Sequence, residues 1–82
     1  MLTFFTKPEC SLCDAAWFVV QKVASAQGIP VEKVDISQPQ AEAWRQRYAE
    51  HIPVVHLDGV EIFRHRVDER KLRKMLANRP SD

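Results

Sequence analysis

The chain has 82 residues, 45% of them hydrophobic and 28% charged, with a formal net charge of +1. That length makes one domain, 1–82, with a modest core. A charge near neutrality offers no basic field for a nucleic acid backbone, and the longest apolar run, Ala15 to Val20, is far below a membrane span. Nucleic acid and membrane are therefore not expected as partners. The apolar part of Met1–Thr6 is too short and wrongly flanked for a secretory signal, so the chain reads as cytoplasmic and monomeric.

Leu2-Thr3-Phe4-Phe5-Thr6 is aromatic and β-branched and reads as a strand. Adjacent apolar residues suit a central strand covered on both faces. Lys7-Pro8-Glu9 turns the chain, because a proline cannot continue a ladder. From Ser11 to Gln27 the apolar residues Leu12, Ala16, Val19, Val20, Val23 and Ala24 recur at the helical period. Gly28, Ile29 and Pro30 form a strong stop signal.

Val31 to Ile36 reads as a second strand, with Glu32, Lys33 and Asp35 suiting a sheet edge. Ser37-Gln38-Pro39-Gln40 has the form of a capping box, and the helix it opens carries Ala41, Trp44 and Tyr48 on one face. Val54–Leu57 and Val60–Arg64 flank Asp58-Gly59, a strong hairpin signal. Asp68 can cap a last helix whose buried stripe is Leu72, Met75 and Leu76. The end of the chain, 78–82, reads as a flexible tail, with Arg79-Pro80-Ser81-Asp82 frayed. The order is βαβαββα, which makes an α/β fold with a four-stranded mixed sheet and helices on two faces.

The only two cysteines, Cys10 and Cys13, stand at the start of the first helix. In a reducing compartment such a pair points to redox chemistry or metal rather than to a permanent staple. Positions i and i+3 of a helix lie roughly 5–6 Å apart, within disulfide range. At the helix start, free N–H groups and the macrodipole favour an anion, and Lys7 acts in the same direction while Glu9 and Asp14 oppose it. Cys10 is thus expected to ionise below the ordinary thiol value of about 8.5, and Cys13, one turn further in, to be the more buried, resolving thiol.

Cys10, Cys13, His51 and His56 also give the outline of a zinc site, but its halves are too far apart for a finger. No metal is expected. His56 and His65 read as sheet residues, and His51 as a helix C-terminal cation. Trp17 and Trp44 read as packing residues, Trp17 also being one turn from Cys13. The cluster from Arg64 to Arg79 is locally basic and reads as a solvated face or an anion patch.

Lys-Pro-x-Cys-x-x-Cys after a first strand, with Ile52-Pro53-Val54 before the hairpin, resembles the thioredoxin superfamily. Within it the chain is similar to small glutaredoxin-like proteins, from Leu2 to about Ala77. The resemblance implies a thioredoxin-like fold and a thiol–disulfide oxidoreductase, with Cys10 attacking and Cys13 resolving. It implies a cis bond before Pro53, with Ile52 offering its backbone to a peptide or to glutathione. Lys7 stands where the family contacts a glutathione carboxylate. The usual Pro-Tyr between the cysteines is Ser11-Leu12 here, and these two residues border the same site. The family's Gly-Gly before the last helix is replaced within Phe63-Arg64-His65-Arg66-Val67-Asp68, where Asp68 or Glu69 is the candidate to bind the amine end.

The expected substrates are protein disulfides or glutathione mixed disulfides. No cofactor is expected to be tightly bound, and glutathione is a possible co-substrate. The rival readings are a thioredoxin-fold binding module or redox sensor with little turnover, and a metal or iron–sulfur carrier through Cys10.

Overall fold

The computed structural model describes residues 1–78. The elements run β1 (Leu2–Thr6), α1 (Ser11–Gln27), β2 (Val31–Asp35), a 3₁₀ turn (Pro39–Ala41), α2 (Glu42–Tyr48), β3 (Val54–Leu57), β4 (Val60–Arg64) and α3 (Glu69–Ala77). The sheet order is β2-β1-β3-β4, with β1 and β2 parallel and the other two pairings antiparallel. The expected βαβαββα order and mixed sheet are therefore observed.

Alternation along the strands divides the core in two. Leu2 and Phe4 of β1 and Val55 of β3 pack with Val20 and Val23 of α1 and Leu72 and Leu76 of α3. Phe5 and Val54 point the other way, into a cluster with Ile36, Tyr48, Ile52 and Cys13. Thus α1 and α3 cover one face and α2 the other. β1 carries buried groups to both, as its adjacent aromatics require.

The stop and turn signals take the forms their residues dictate. Gly28 caps α1 in the left-handed region at φ 67°, and its N–H and that of Ile29 take up the orphan carbonyls of Ala24 and Ser25. Asp58 and Gly59 both have positive φ, 50° and 86°, the hairpin conformation whose twist matches the strands it joins. A register irregularity between Val55 and His56 interrupts the β3–β4 ladder. The Asp68 carboxylate accepts the Lys71 N–H at 3.0 Å and starts α3.

One start signal fails. The expected capping box at Ser37 is not formed, because Asp35 claims the serine first. Its carboxylate accepts from Ser37 N–H at 2.9 Å and from Ser37 Oγ at 2.7 Å. β2 consequently ends at Asp35, one residue early, and the chain enters a 3₁₀ turn with no side-chain cap at Gln38. These hydrogen bonds from Ser37 hold the Asp35 carboxyl below the usual carboxylate range. The expected tail Arg79–Asp82 lies outside the described residues.

Candidate active site

Cys10 is the N-cap of α1, with extended backbone angles of φ −124° and ψ 101°. Its Sγ accepts the N–H of Cys13 at 3.2 Å, so a sulfur fills the role that Ser or Asp fills at most helix starts. The two cysteines are joined in a disulfide with Cα atoms 5.2 Å apart. Cys13 is 1% exposed, whereas Cys10 is only half-buried, so the outer sulfur is the more accessible of the two. Ser11 and Leu12 between them are exposed, Leu12 at 47% despite its place in the apolar stripe of the helix.

The loop before β3 meets this pair. Ile52 is buried in one cluster with Cys13, and Cys10 packs against that cluster. The Ile52–Pro53 bond is cis, as the family resemblance implies. A third segment is tied to this loop. The His65 N–H donates to Pro53 O at 2.8 Å and to His51 O at 3.2 Å. His65 takes φ 73°, a left-handed conformation that costs a non-glycine residue roughly 1–3 kcal/mol. Its ring stands edge-on to that of His51, centroids 5.7 Å apart. His65 is therefore not a sheet residue, since β4 ends at Arg64 and His65 turns the chain out of it. The His51 N–H donates to Tyr48 O at 2.8 Å, which holds His51 at the end of α2.

α1 and the turn after β4 enclose a shallow groove lined by Leu12, Ala15, Ala16 and Val19 on one side and by His65, Arg66 and Val67 on the other. Lys7 lies elsewhere, in a cleft with Thr6, Pro8, Asp14, Lys33 and Asp35. Asp68 is occupied as the cap of α3. Of the residues singled out from sequence, the fold thus gathers Cys10, Cys13 and Ile52 in one cluster and ties the cis bond at Pro53 to His65. It lays Leu12 along the groove and puts Lys7 on another wall. Val19 was already part of the helical stripe, but the groove residues His65, Arg66 and Val67 had no periodic signal. Their only mark was the run of bulky basic residues where the family has glycines.

Trp17 does not face Cys13. Its ring lies tilted against that of Phe4, centroids 5.2 Å apart, in the α1–α3 half of the core, under the Lys33 ammonium at 4.6 Å. Trp44 lies against Phe5 and Tyr48 on the other face, so both tryptophans are packing residues. His56 is buried there, 6% exposed. With the Tyr48 proton given to Glu61 Oε1 at 3.3 Å, His56 Nε2 donates to the Tyr48 oxygen at 2.8 Å. Arg64 clamps Glu61 through two bonds of 2.9 and 3.1 Å. Burial holds His56 below the ordinary histidine value and pushes the Tyr48 hydroxyl up, while the Arg64 bonds hold Glu61 down.

With His56 engaged in this network, the C-x₂-C…H-x₄-H outline is not assembled. Among the described residues no group of three or more His, Cys, Asp or Glu side chains converges as a metal site would require. No described helix is long and apolar enough to cross a membrane.

A family model described as the glutaredoxin-like domain (DUF836) matches residues 1–77. A glutaredoxin-like protein of Dictyostelium discoideum is 32% identical over 75 residues, which span 87% of this chain and 69% of that protein. Among solved structures, a structural-genomics target protein from X. campestris superposes with a TM-score of 0.71 at 28% identity, over 98% of this chain and all of its own. The glutaredoxin-like NrdH-redoxin of Escherichia coli, described as having a thioredoxin-like activity profile, superposes with a TM-score of 0.56 over 99% of this chain and 97% of its own. At 20% identity that likeness speaks for the thioredoxin fold alone.

Proposed function

The chain belongs to the glutaredoxin-like domain family of the thioredoxin superfamily, and from that premise we propose that it is a thiol–disulfide oxidoreductase acting on protein or glutathione mixed disulfides. The supporting observation is the Cys10–Cys13 disulfide across the first turn of α1, with the half-buried sulfur at the N-cap and its partner buried behind it. In the reduced protein the N-cap position favours a thiolate on Cys10, since a backbone N–H and the positive end of the helix both face that sulfur.

The Cys10 thiolate attacks one sulfur of a substrate disulfide. A Cys10–substrate disulfide forms, and the other substrate sulfur leaves as a thiolate. The Cys13 thiolate then attacks Cys10 Sγ, closes the internal disulfide and expels the second substrate thiolate. The dithiol gives up two electrons and its two protons, by way of solvent, and the substrate becomes two thiols. An external thiol, glutathione or a protein dithiol, reopens the pair. The backbone around cis-Pro53, packed beside the cysteines, offers strand-like hydrogen bonds to an extended substrate.

Intact mass after equilibration across reduced and oxidised glutathione ratios tests this. Loss of two hydrogens at a defined ratio is expected, and Cys10→Ser should lose exchange while Cys13→Ser accumulates a mixed disulfide. Full exchange activity in Cys10→Ser would overturn the assignment. A folded protein that never closes the pair would favour the binding-module reading.

A further inference from the structure

The groove beside the cysteines has two chemically different parts. Its floor is apolar, Leu12, Ala15, Ala16 and Val19 along one side of α1, with Val67 opposite. From Leu12 to Val19 it runs about 10 Å away from the disulfide at 1.5 Å per residue. Its volume, about 250 Å³, falls below the roughly 300–1,000 Å³ of small-molecule cavities, so it takes side chains of something laid across it.

The wall is cationic. Of the lining residues only His65 and Arg66 can carry charge, and no carboxylate lines the groove. The acids that follow the wall are already engaged, Asp68 capping α3 and Glu69 pairing with Arg73 at 2.7 Å and Lys22 at 3.4 Å, and Asp14, next to Ala15, lies in the separate cleft with Lys7. Arg66 makes no ion pair among the described residues, where Arg64 and Arg73 both do. The wall is also held in place, because the His65 N–H is bonded to the cis-proline loop.

We propose that this groove is the docking surface for a protein disulfide whose flanking segment carries an apolar side chain followed by a carboxylate, and that Arg66 and His65 select it. The inference rests on the oxidoreductase reading and names the substrate class of the same site. A free hydrophilic thiol gains little from an apolar floor extending two helical turns from the sulfur, whereas a buried aliphatic or aromatic side chain gains about 25 cal/mol per Å² covered. The carboxylate would pair with Arg66, which makes no ion pair among the described residues.

Two disulfide-linked peptides, identical except for acidic or basic residues beside an apolar one, provide the test, with glutathione disulfide run in parallel. The readout is the ratio of reduction rates by the reduced protein, which cancels losses common to both peptides. The acidic peptide should be reduced about three- to fivefold faster at low ionic strength, the advantage shrinking as salt is added. Arg66→Glu should bring the ratio to one or below. Lys74→Glu, the same charge change on α3 outside the groove, should leave it as in the wild type. A wild-type ratio of one, an equal effect of Lys74→Glu, or glutathione disulfide reduced tenfold faster than either peptide would each overturn the proposal while leaving the oxidoreductase standing. If neither peptide nor glutathione disulfide is reduced, the oxidoreductase reading falls with it.

Discussion

The two faces of the sheet are built from different materials. Under α1 and α3 the contacts are aliphatic and aromatic carbon: Leu2, Phe4, Val20, Val23, Val55, Leu72 and Leu76. On the α2 side, Phe5 and Val54 of the sheet pack with Ile52 and the inner cysteine, and a histidine of β3 is buried against Tyr48 of α2. The first face needs only shape, since apolar burial is non-directional. The second needs shape and pairing, since each buried polar atom left unmatched costs about 1–3 kcal/mol. The chemistry sits at the end of the second face, where α1 delivers Cys13 into it.

The largest expected effect breaks the first face. Phe4→Ala removes a fully buried ring packed against Trp17 and should cost about 3–5 kcal/mol, a large share of the stability of so small a domain, read by urea denaturation. Unchanged midpoints would mean that α1 and α3 do not depend on that contact. Tyr48→Phe probes the second face with almost no change of volume. It leaves the buried His56 Nε2 without its partner, while Glu61 keeps both bonds from Arg64, and should cost about 1–3 kcal/mol, whereas a purely apolar face would register nearly nothing.

Acid should separate the faces next. Because His56 is held neutral by burial, the unfolded chain binds a proton that the folded chain resists. Stability is therefore full above about 6.5 and falls as pH drops below it toward the depressed folded value. Glu61, whose value is lowered by Arg64, adds loss of the same sign at lower pH. Denaturation midpoints at pH 7.5 and 5.5 should differ less in His56→Gln than in the wild type. An equal difference in both would place the acid sensitivity elsewhere. The smallest effect concerns neither face. Gly28→Ala meets open space but must adopt φ 67°, so about 1 kcal/mol should be lost at the end of α1.

Much of this molecule was legible as local pattern. The helical spacing from Leu12 to Ala24, the Gly28 stop, the Asp58-Gly59 hairpin and the Asp68 cap are each settled by neighbours in sequence, and each appears in the fold. The cysteine pair belongs with them, because a three-residue spacing at a helix start brings two sulfurs together without help from the rest of the chain. The capping box at Ser37 failed for an equally local reason, a competing carboxylate two residues earlier.

What no spacing could reveal depends on segments far apart in the chain. Tyr48 meets His56 because α2 lies across the strand that carries the histidine, and that crossing is set by the sheet order. His65 takes its left-handed turn because the loop before β3 offers it two carbonyls. The groove exists only because the β4–α3 turn comes to rest against α1. Hydrogen bonds within a few residues are encoded by the residues themselves. Contacts across the sheet are encoded by the packing of every element at once, so the dithiol could be read from the chain and its surroundings only from the fold.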